Sequence, residues 1–504
     1  MNYLEPNVGI PLLTLLIFAP LGAAVVAMLL PGERWVRTWT LLATTGIALF
    51  SLLLLVGFDA STAAFQYVEH RAWIPYLGMH YTLGIDGISL LLVLLTTLIT
   101  PFCVLASWNS IRTRTREFMI ALLLMQTAMT GVFTALDFVL FFIFWEAMLI
   151  PMTLLIGIWG GKRRVYAAIK FFLYTMAGSV LLIAAIIALR LEAGTFSIPE
   201  LINQPYGRTF QLWVFAALFV SFAIKVPMFP FHTWLPAAHV EAPTAGSVLL
   251  ASILLKMGAY GFLRFCLPIT PEATLFFADA ILWLSVAAIL YGGLAALAQS
   301  DLKKIVAYSS VSHMGFATLG IFSLVHLGTT GGMLVLINHG ITTGALFIAV
   351  GIVYERLHSR ELNDAAGLGK QMPIFALFLG IFCLSSLAFP GTNAFIGEFL
   401  VLGGAFQISL VLAVAVIPGV VIAAAYNLRI LQRVAYGGTR NPDHRHIRDL
   451  GGREILILTP FLIAILWIGL QPGPILGIME TSIQNLLDIV HGARLQLPVD
   501  LPTP

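Results

Sequence analysis

Charge is what this sequence has least of. Only 10% of its 504 residues are Asp, Glu, Lys or Arg, against about 25% in an ordinary soluble domain. So few charges do not make a water-facing surface, which excludes a soluble enzyme of the usual kind. With Lys+Arg 27 and Asp+Glu 24 the formal net charge is +3. No basic patch competes with the apolar bulk, which excludes a nucleic-acid binder. Cysteine is scarce too. Cys103, Cys266 and Cys383 are far apart, each inside an apolar segment, and no CxxC occurs. They read as small core hydrophobes, not as a zinc, iron–sulfur or dithiol site. A phosphate loop is also missing: Gly367–Leu368–Gly369–Lys370 has neither the length nor the following Ser or Thr of a Walker motif. The chain is therefore expected to hold no nucleotide, flavin or metal cluster.

What is abundant is apolar, 59% of residues, and it comes in runs. A helix needs roughly 20 apolar residues to cross a bilayer. About fourteen stretches qualify: 10–30, 38–58, 84–107, 118–136, 137–158, 166–190, 210–230, 240–266, 273–298, 304–325, 329–353, 374–405, 408–432 and 454–471. The expected fold is an all-α integral membrane protein. The first stretch is too long for a signal-peptide core and reads as a retained span. Basic residues test the count. With odd-numbered loops on one side, that side collects 20 of the 27 Lys and Arg, and the other side 5: Arg71, Arg190, Arg208, Arg264 and Arg494. Such a bias is what the positive-inside rule predicts, and it puts both termini outside. Residues Ile483, Leu486, Leu487 and Val490 have helical spacing, which suits an amphipathic tail helix along the outer surface.

The two basic residues left over are Lys225 and Lys256, both inside apolar runs, as are Glu146 and Glu398. A charge at mid-membrane costs about 2.5–3.5 kcal/mol on insertion scales, so each is a functional candidate. Two acids and two bases could also be plain structural ion pairs. Breaks beside them favour function. Pro227 and Pro230 follow Lys225, and Pro390–Gly391 precede Glu398 in mid-span. Broken helices persist in a membrane only where protein or a hydrated cavity surrounds them. The breaks fall in stretches seven and twelve, the fourth members of two five-span sets, 4–8 and 9–13. An odd number of spans inverts the second copy, a transporter signature. The implied division is 1–110, a first repeat 111–270, a second 271–440, and 441–504 with the last span and the tail. His232, His239, His313 and His339 lie within or beside spans and could extend a hydrated chain, or be satisfied packing residues. His232 and His239 lack a third ligand, so no metal site is expected. Ser309, Ser310 and Ser312 beside His313 would extend a water wire or satisfy helix–helix hydrogen bonds.

The segment FAIKVPMFPFHTWLPAAHVEAPTAGSVLLASILLKMGAYGFLR resembles the central motif of the antiporter-like, proton-pumping subunits of respiratory complex I, and the resemblance runs over roughly 80–450. Within that family SDLKKIVAYSSVSHMGF, with His313, and PGTNAFIGEF, with Glu398, are similar to the M-type branch, the bacterial counterpart of mitochondrial subunit 4. The resemblance implies a proton relay. Glu146 would pair with Lys225 and set its proton affinity, Lys256 would be the central connecting lysine, and Glu398 the exit-side acid. His232, His239, His313 and His339 would support the hydrated axis. It implies partner subunits of L-type and N-type on either side, in a bacterial inner membrane. NADH, flavin, iron–sulfur clusters and quinone would all be carried by partner subunits. One departure is Ala237, where the family usually has an acid after Trp-Leu-Pro. An Mrp-type cation/proton antiporter subunit, a membrane hydrogenase subunit and a scaffold with structural ion pairs are the rival readings.

Overall fold

The computed structural model describes residues 10–438 and 447–494. Arg440, Arg445 and the Asn441–His444 loop lie outside the described residues, as does the side chain of Arg494.

Among the described residues thirteen helices are long and apolar enough to cross a membrane. In order they are α1 Leu12–Leu29, α2 Glu33–Val56, α3 Gly87–Ala106, α4 Thr115–Thr134, α5 Phe138–Trp159 and α6 Arg164–Ala193. Then follow α7a Arg208–Lys225, α8 Thr244–Ile269, α9 Pro271–Leu297, α10 Leu302–Phe322 and α11 His326–Leu357. The last two are α13 Leu410–Val434 and α14 Gly452–Leu470. The twelfth crossing is two shorter helices, α12a Pro373–Ser386 and α12b Asn393–Ile408. The fourteen expected crossings are thus present, with the breaks in the seventh and twelfth.

Helix starts follow from the sequence. Asp86 caps α3 by accepting the Ser89 N–H at 3.0 Å. Asp137 caps α5 through the N–H groups of Val139 and Leu140, and Asp301 caps α10 through those of Lys303 and Lys304. The last two caps sit in matching frames. Phe138 N–H donates to Phe196 O and Ile198 N–H to Leu136 O. Leu302 N–H donates to Arg360 O and Leu362 N–H to Ser300 O. The same two-bond latch therefore opens α5 and α10.

The breaks are satisfied internally, as lipid requires. After Lys225 the chain turns at Pro227 and resumes as α7b, Trp234–Glu241. The Trp234 indole donates to the freed Ile224 carbonyl at 2.8 Å. In the second break Gly391 takes φ +91°, a conformation side chains rarely adopt. Asn338 Nδ2 donates to Asn393 O at 2.7 Å, and Ser385 Oγ to Asn393 Oδ1 at 2.6 Å.

The all-α expectation overlooked one feature, an antiparallel hairpin of β1 Gln66–Ile74 and β2 Met79–Ile85 between α2 and α3. Its turn closes at Gly78, φ +70°. Glu69 of β1 accepts the Leu13 N–H at 2.7 Å and so caps the first turn of α1 from a distance. The tail helix α15, Gly473–Arg494, is present. Ile483, Leu486, Leu487 and Val490 are buried, so its apolar face packs on protein. Ser482 Oγ accepts the Gly87 N–H at 3.0 Å and ties the tail to the start of α3.

α8 and α11 are buried along their apolar length, whereas α1, α2, α6, α13 and α14 are less than half buried. These two central helices carry Lys256 and His339. Two π-helical turns, Leu250–Leu254 and Phe262–Cys266, interrupt α8 on either side of Lys256, and such turns often accompany functional sites.

Candidate functional site: a buried line of ionisable groups

Glu398 lies on α12b just past the second break and is 3% exposed. Its Oε1 is 3.0 Å from His313 Nδ1 on α10. The other edge of His313 faces Tyr426 Oη at 3.2 Å and Ser386 Oγ at 3.4 Å. Between His313, His339 and Glu398 is a small cavity with about 10 Å³ open to water centres, room for one water. Glu398 Oε2 and His339 Nε2 are buried with no protein partner, so both are free to bind that water. The His313 and His339 rings are 5.7 Å apart, centroid to centroid.

On its other edge His339 Nδ1 is 2.6 Å from Lys256 Nζ. Lys256 is fully buried and also donates to the Ala251 carbonyl, in the π-turn just before it. Lys256, His339, His313 and Glu398 thus form a run of ionisable groups within hydrogen-bond, water or ring-contact distance.

Beyond Lys256 the next ionisable group is on α7b. His239 on α7b is fully buried, stacks on Phe347 at 4.6 Å, and has both ring nitrogens unpartnered. It lies within electrostatic range of Lys256 and of Lys303. Lys303, by sequence alone one of the loop charges, is not solvated. It is 6% exposed and donates to the Ala242 carbonyl at 2.5 Å. Arg360 donates to the nearby Val240 carbonyl and lies 3.4 Å from Asp301. The final carbonyls of α7b, left open by any helix end, thus point at two cations.

Lys225 stands apart from this line. It is 2% exposed. Its Nζ is 3.8 Å from Met148 Sδ and 4.7 Å from the centre of the Trp145 ring, a cation–π contact. The Glu146 carboxylate makes no hydrogen bond or ion pair among the described residues. It is half-buried and remains within electrostatic range of Lys225. The expected Glu146–Lys225 pair is therefore in an open arrangement, the lysine resting on sulfur and an aromatic face. His232 is buried in the first break beside Phe229, at 5.8 Å, and Tyr291, at 4.9 Å. It lies within electrostatic range of Lys170.

Two family models match the chain. One, described as the membrane domain of NADH:quinone oxidoreductase and Mrp antiporters, spans 135–423, and the other, the amino terminus of NADH-ubiquinone oxidoreductase chain 4, spans 13–132. The chain belongs to the chain 4 family, also called subunit M. Chain 4 of Arabidopsis thaliana is 45% identical, covering 95% of this chain and 97% of its own length. Subunit M of Rhodobacter capsulatus is 44% identical with the same coverage. In structure, a chain of respiratory complex I from Thermus thermophilus superposes with a TM-score of 0.86 at 32% identity, over 94% of this chain and 99% of that one. This subunit M homologue is a multi-pass membrane protein.

Sequence reasoning about this subunit M homologue missed Lys303, because Asp-Leu-Lys-Lys after a span reads as surface charge. It also missed Tyr426, a lone tyrosine in an apolar run that reaches His313 only through the packing of α13. A third omission is the ion pair of Arg264 and Asp86, 2.6 Å apart and both buried near the C-terminal end of α8. By sequence alone Arg264 reads as a loop charge.

Proposed function

We propose that this chain translocates protons as a redox-free, antiporter-like subunit of an NADH:quinone oxidoreductase. The observation that carries the proposal is the run Lys256–His339–His313–Glu398, buried throughout and joined by contacts of 2.6 and 3.0 Å at its ends. Protons would be taken up from the cytoplasmic side toward Lys225, pass laterally to Lys256 and leave past Glu398 to the periplasm. The chain itself would hold no cofactor. NADH, flavin, iron–sulfur clusters and quinone would belong to partner subunits, and L-type and N-type subunits would flank it in a bacterial inner membrane with both termini periplasmic. The drive would be electrostatic: a shift of charge in a neighbour would move the Glu146–Lys225 pair between its open arrangement and a closed one.

The latches that open α5 and α10, and the breaks in the seventh and twelfth crossings, support two inverted five-helix repeats, 111–270 and 271–440, as half-channels. Residues 1–110 and 441–504 would brace them from outside.

Glu146→Ala or Lys225→Ala in the assembled complex should abolish or severely reduce NADH-driven acidification of inverted vesicles. Full pumping by well-assembled Glu146→Ala complex would remove the assignment. An Mrp-type antiporter reading would instead gain if sodium extrusion persisted without any quinone-linked activity.

A further inference from the structure

The relay has a gap between its two lysines. α7a packs on α8 at Gly258, where an added Cβ would sit 2.8 Å from Phe222 O and 2.9 Å from Val226 N. Lys256 is two residues earlier, about 200° round the helix. α8 therefore stands between Lys225 and Lys256, and a proton must pass around it.

α4 lies in the corner between α5 and α8. Its Phe133 faces α8, with the ring 5.4 Å from that of Tyr260 and the carbonyl accepting the Tyr260 hydroxyl at 3.3 Å. Its Gly131 faces α5, where an added Cβ would meet the Phe144 ring at 2.3 Å. At about 100° per residue, Gln126, Thr130 and Thr127 fall about 20°, 60° and 120° round from Phe133, in the direction of Gly131 at about 160°. Together they make a polar band from the α8 side to the α5 side. Heights agree as well. α4 and α5 are consecutive and antiparallel, so Thr127, four before Gly131, is level with Met148, four after Phe144. Met148 Sδ is the atom against Lys225 Nζ. α4 and α8 run the same way. Thr130 and Gln126, about 4.5 and 10 Å below Phe133, bracket Lys256, about 6 Å below Tyr260.

The second observation is chemical. Gln126 and Thr130 are fully buried and Thr127 is 8% exposed. Gln126 Nε2 and Oε1, Thr127 Oγ1 and Thr130 Oγ1 have no partner in the protein. Each such buried group costs about 1–3 kcal/mol unless it is bonded, and water with two to four polar partners is the usual remedy. Several helical threonines of this chain bond back to the carbonyl four residues earlier, as Thr134 does to Thr130 O at 3.0 Å, but Thr127 and Thr130 do not.

We propose that Gln126, Thr127 and Thr130 of α4 hold the water bridge that carries protons laterally from Lys225 to Lys256. The Lys225 ammonium gives up a proton and becomes an amine, and the Lys256 amine takes one and becomes an ammonium. The waters between exchange hydrogen bonds, and the α4 side chains are unchanged. The three are positioning residues for that step, and the inference rests on the pumping function proposed above.

The test is the near-isosteric set Gln126→Leu, Thr127→Val and Thr130→Val in the assembled complex, beside the polar set Gln126→Asn, Thr127→Ser and Thr130→Ser, with Lys225→Ala as reference. The apolar set should cut vesicle acidification roughly tenfold, less than the roughly 10²–10⁴-fold effect of losing a proton-transfer group itself, and the polar set should restore most of it. A merely structural band would give equal losses in both sets. If the apolar set assembles and pumps normally while Lys225→Ala does not, this bridge is wrong and the pumping function stands. If Lys225→Ala also pumps, the function itself is wrong. Should the triple set fail to assemble, Gln126→Leu alone decides by the same readout.

Discussion

His313 Nδ1 lies 3.0 Å from Glu398 Oε1, bridging α10 to the second half of the broken twelfth crossing. A histidine facing a carboxylate in a buried site can share one proton between them, and the one-water cavity beside the pair gives that proton a next position. Glu398→Gln keeps the size and one hydrogen bond but removes the site that takes the charge. Vesicle acidification should fall about a hundredfold or more, in the range for loss of a proton-transfer group. Unchanged acidification in membranes with normal complex content would remove Glu398 from the path.

Lys256 is poised to gain and lose a proton only if it can be neutral. Lys256→Arg should assemble, because a guanidinium can still reach the Ala251 carbonyl. It should not pump, because Arg stays protonated. Pumping at the wild-type rate in Lys256→Arg would show that this position holds a fixed charge.

Lys303 closes the end of α7b by bonding Ala242 O. Lys303→Met should leave that buried carbonyl unpaired, a loss of about 1–3 kcal/mol, and lower the thermal midpoint of the purified complex. Lys303→Arg should restore the midpoint. If Lys303 also feeds His239, Lys303→Arg will leave acidification depressed; recovery of both would make the residue structural only.

Asp86 and Arg264 clasp the start of α3 to the C-terminal end of α8. Burial alone would raise the Asp86 carboxyl, but the Arg264 guanidinium and the Ser89 bonds outweigh it and hold the group below its ordinary value of 3.8. Because the folded value is lowered, the stabilisation is complete above pH 3.8 and is lost as pH falls through the lowered value. Asp86→Asn should therefore destabilise the complex at neutral pH, by up to about 3–5 kcal/mol for a buried pair deprived of one partner, and should flatten the acid limb of a melting curve. An unchanged melting temperature at pH 7 would count against the clasp.

Much of this was legible in one dimension. Fourteen apolar runs gave fourteen crossings, and Pro227, Pro230, Pro390 and Gly391 marked where two of them break. Lys256, His313, His339 and Glu398 stood out as ionisable residues in apolar surroundings. The hairpin did not, because residues 66–85 alternate too weakly beside such hydrophobic neighbours and pair only across a turn. Lys303 and Arg264 did not either, since a basic residue near a span end has the same local sequence whether it meets water or a helix terminus.

The sequence by itself determined that the chain lives in lipid, how many times it crosses and which charges are out of place, because transfer energies depend on composition over twenty residues. Only the tertiary structure decided which of those charges meet. His313 and Glu398 are 85 residues apart, and Lys256 and His339 are 83 apart; their contacts are fixed by how α8, α10, α11 and α12b pack. The same packing leaves Glu146 and Lys225 open to each other, and places the unpaired band of α4 between the lysines.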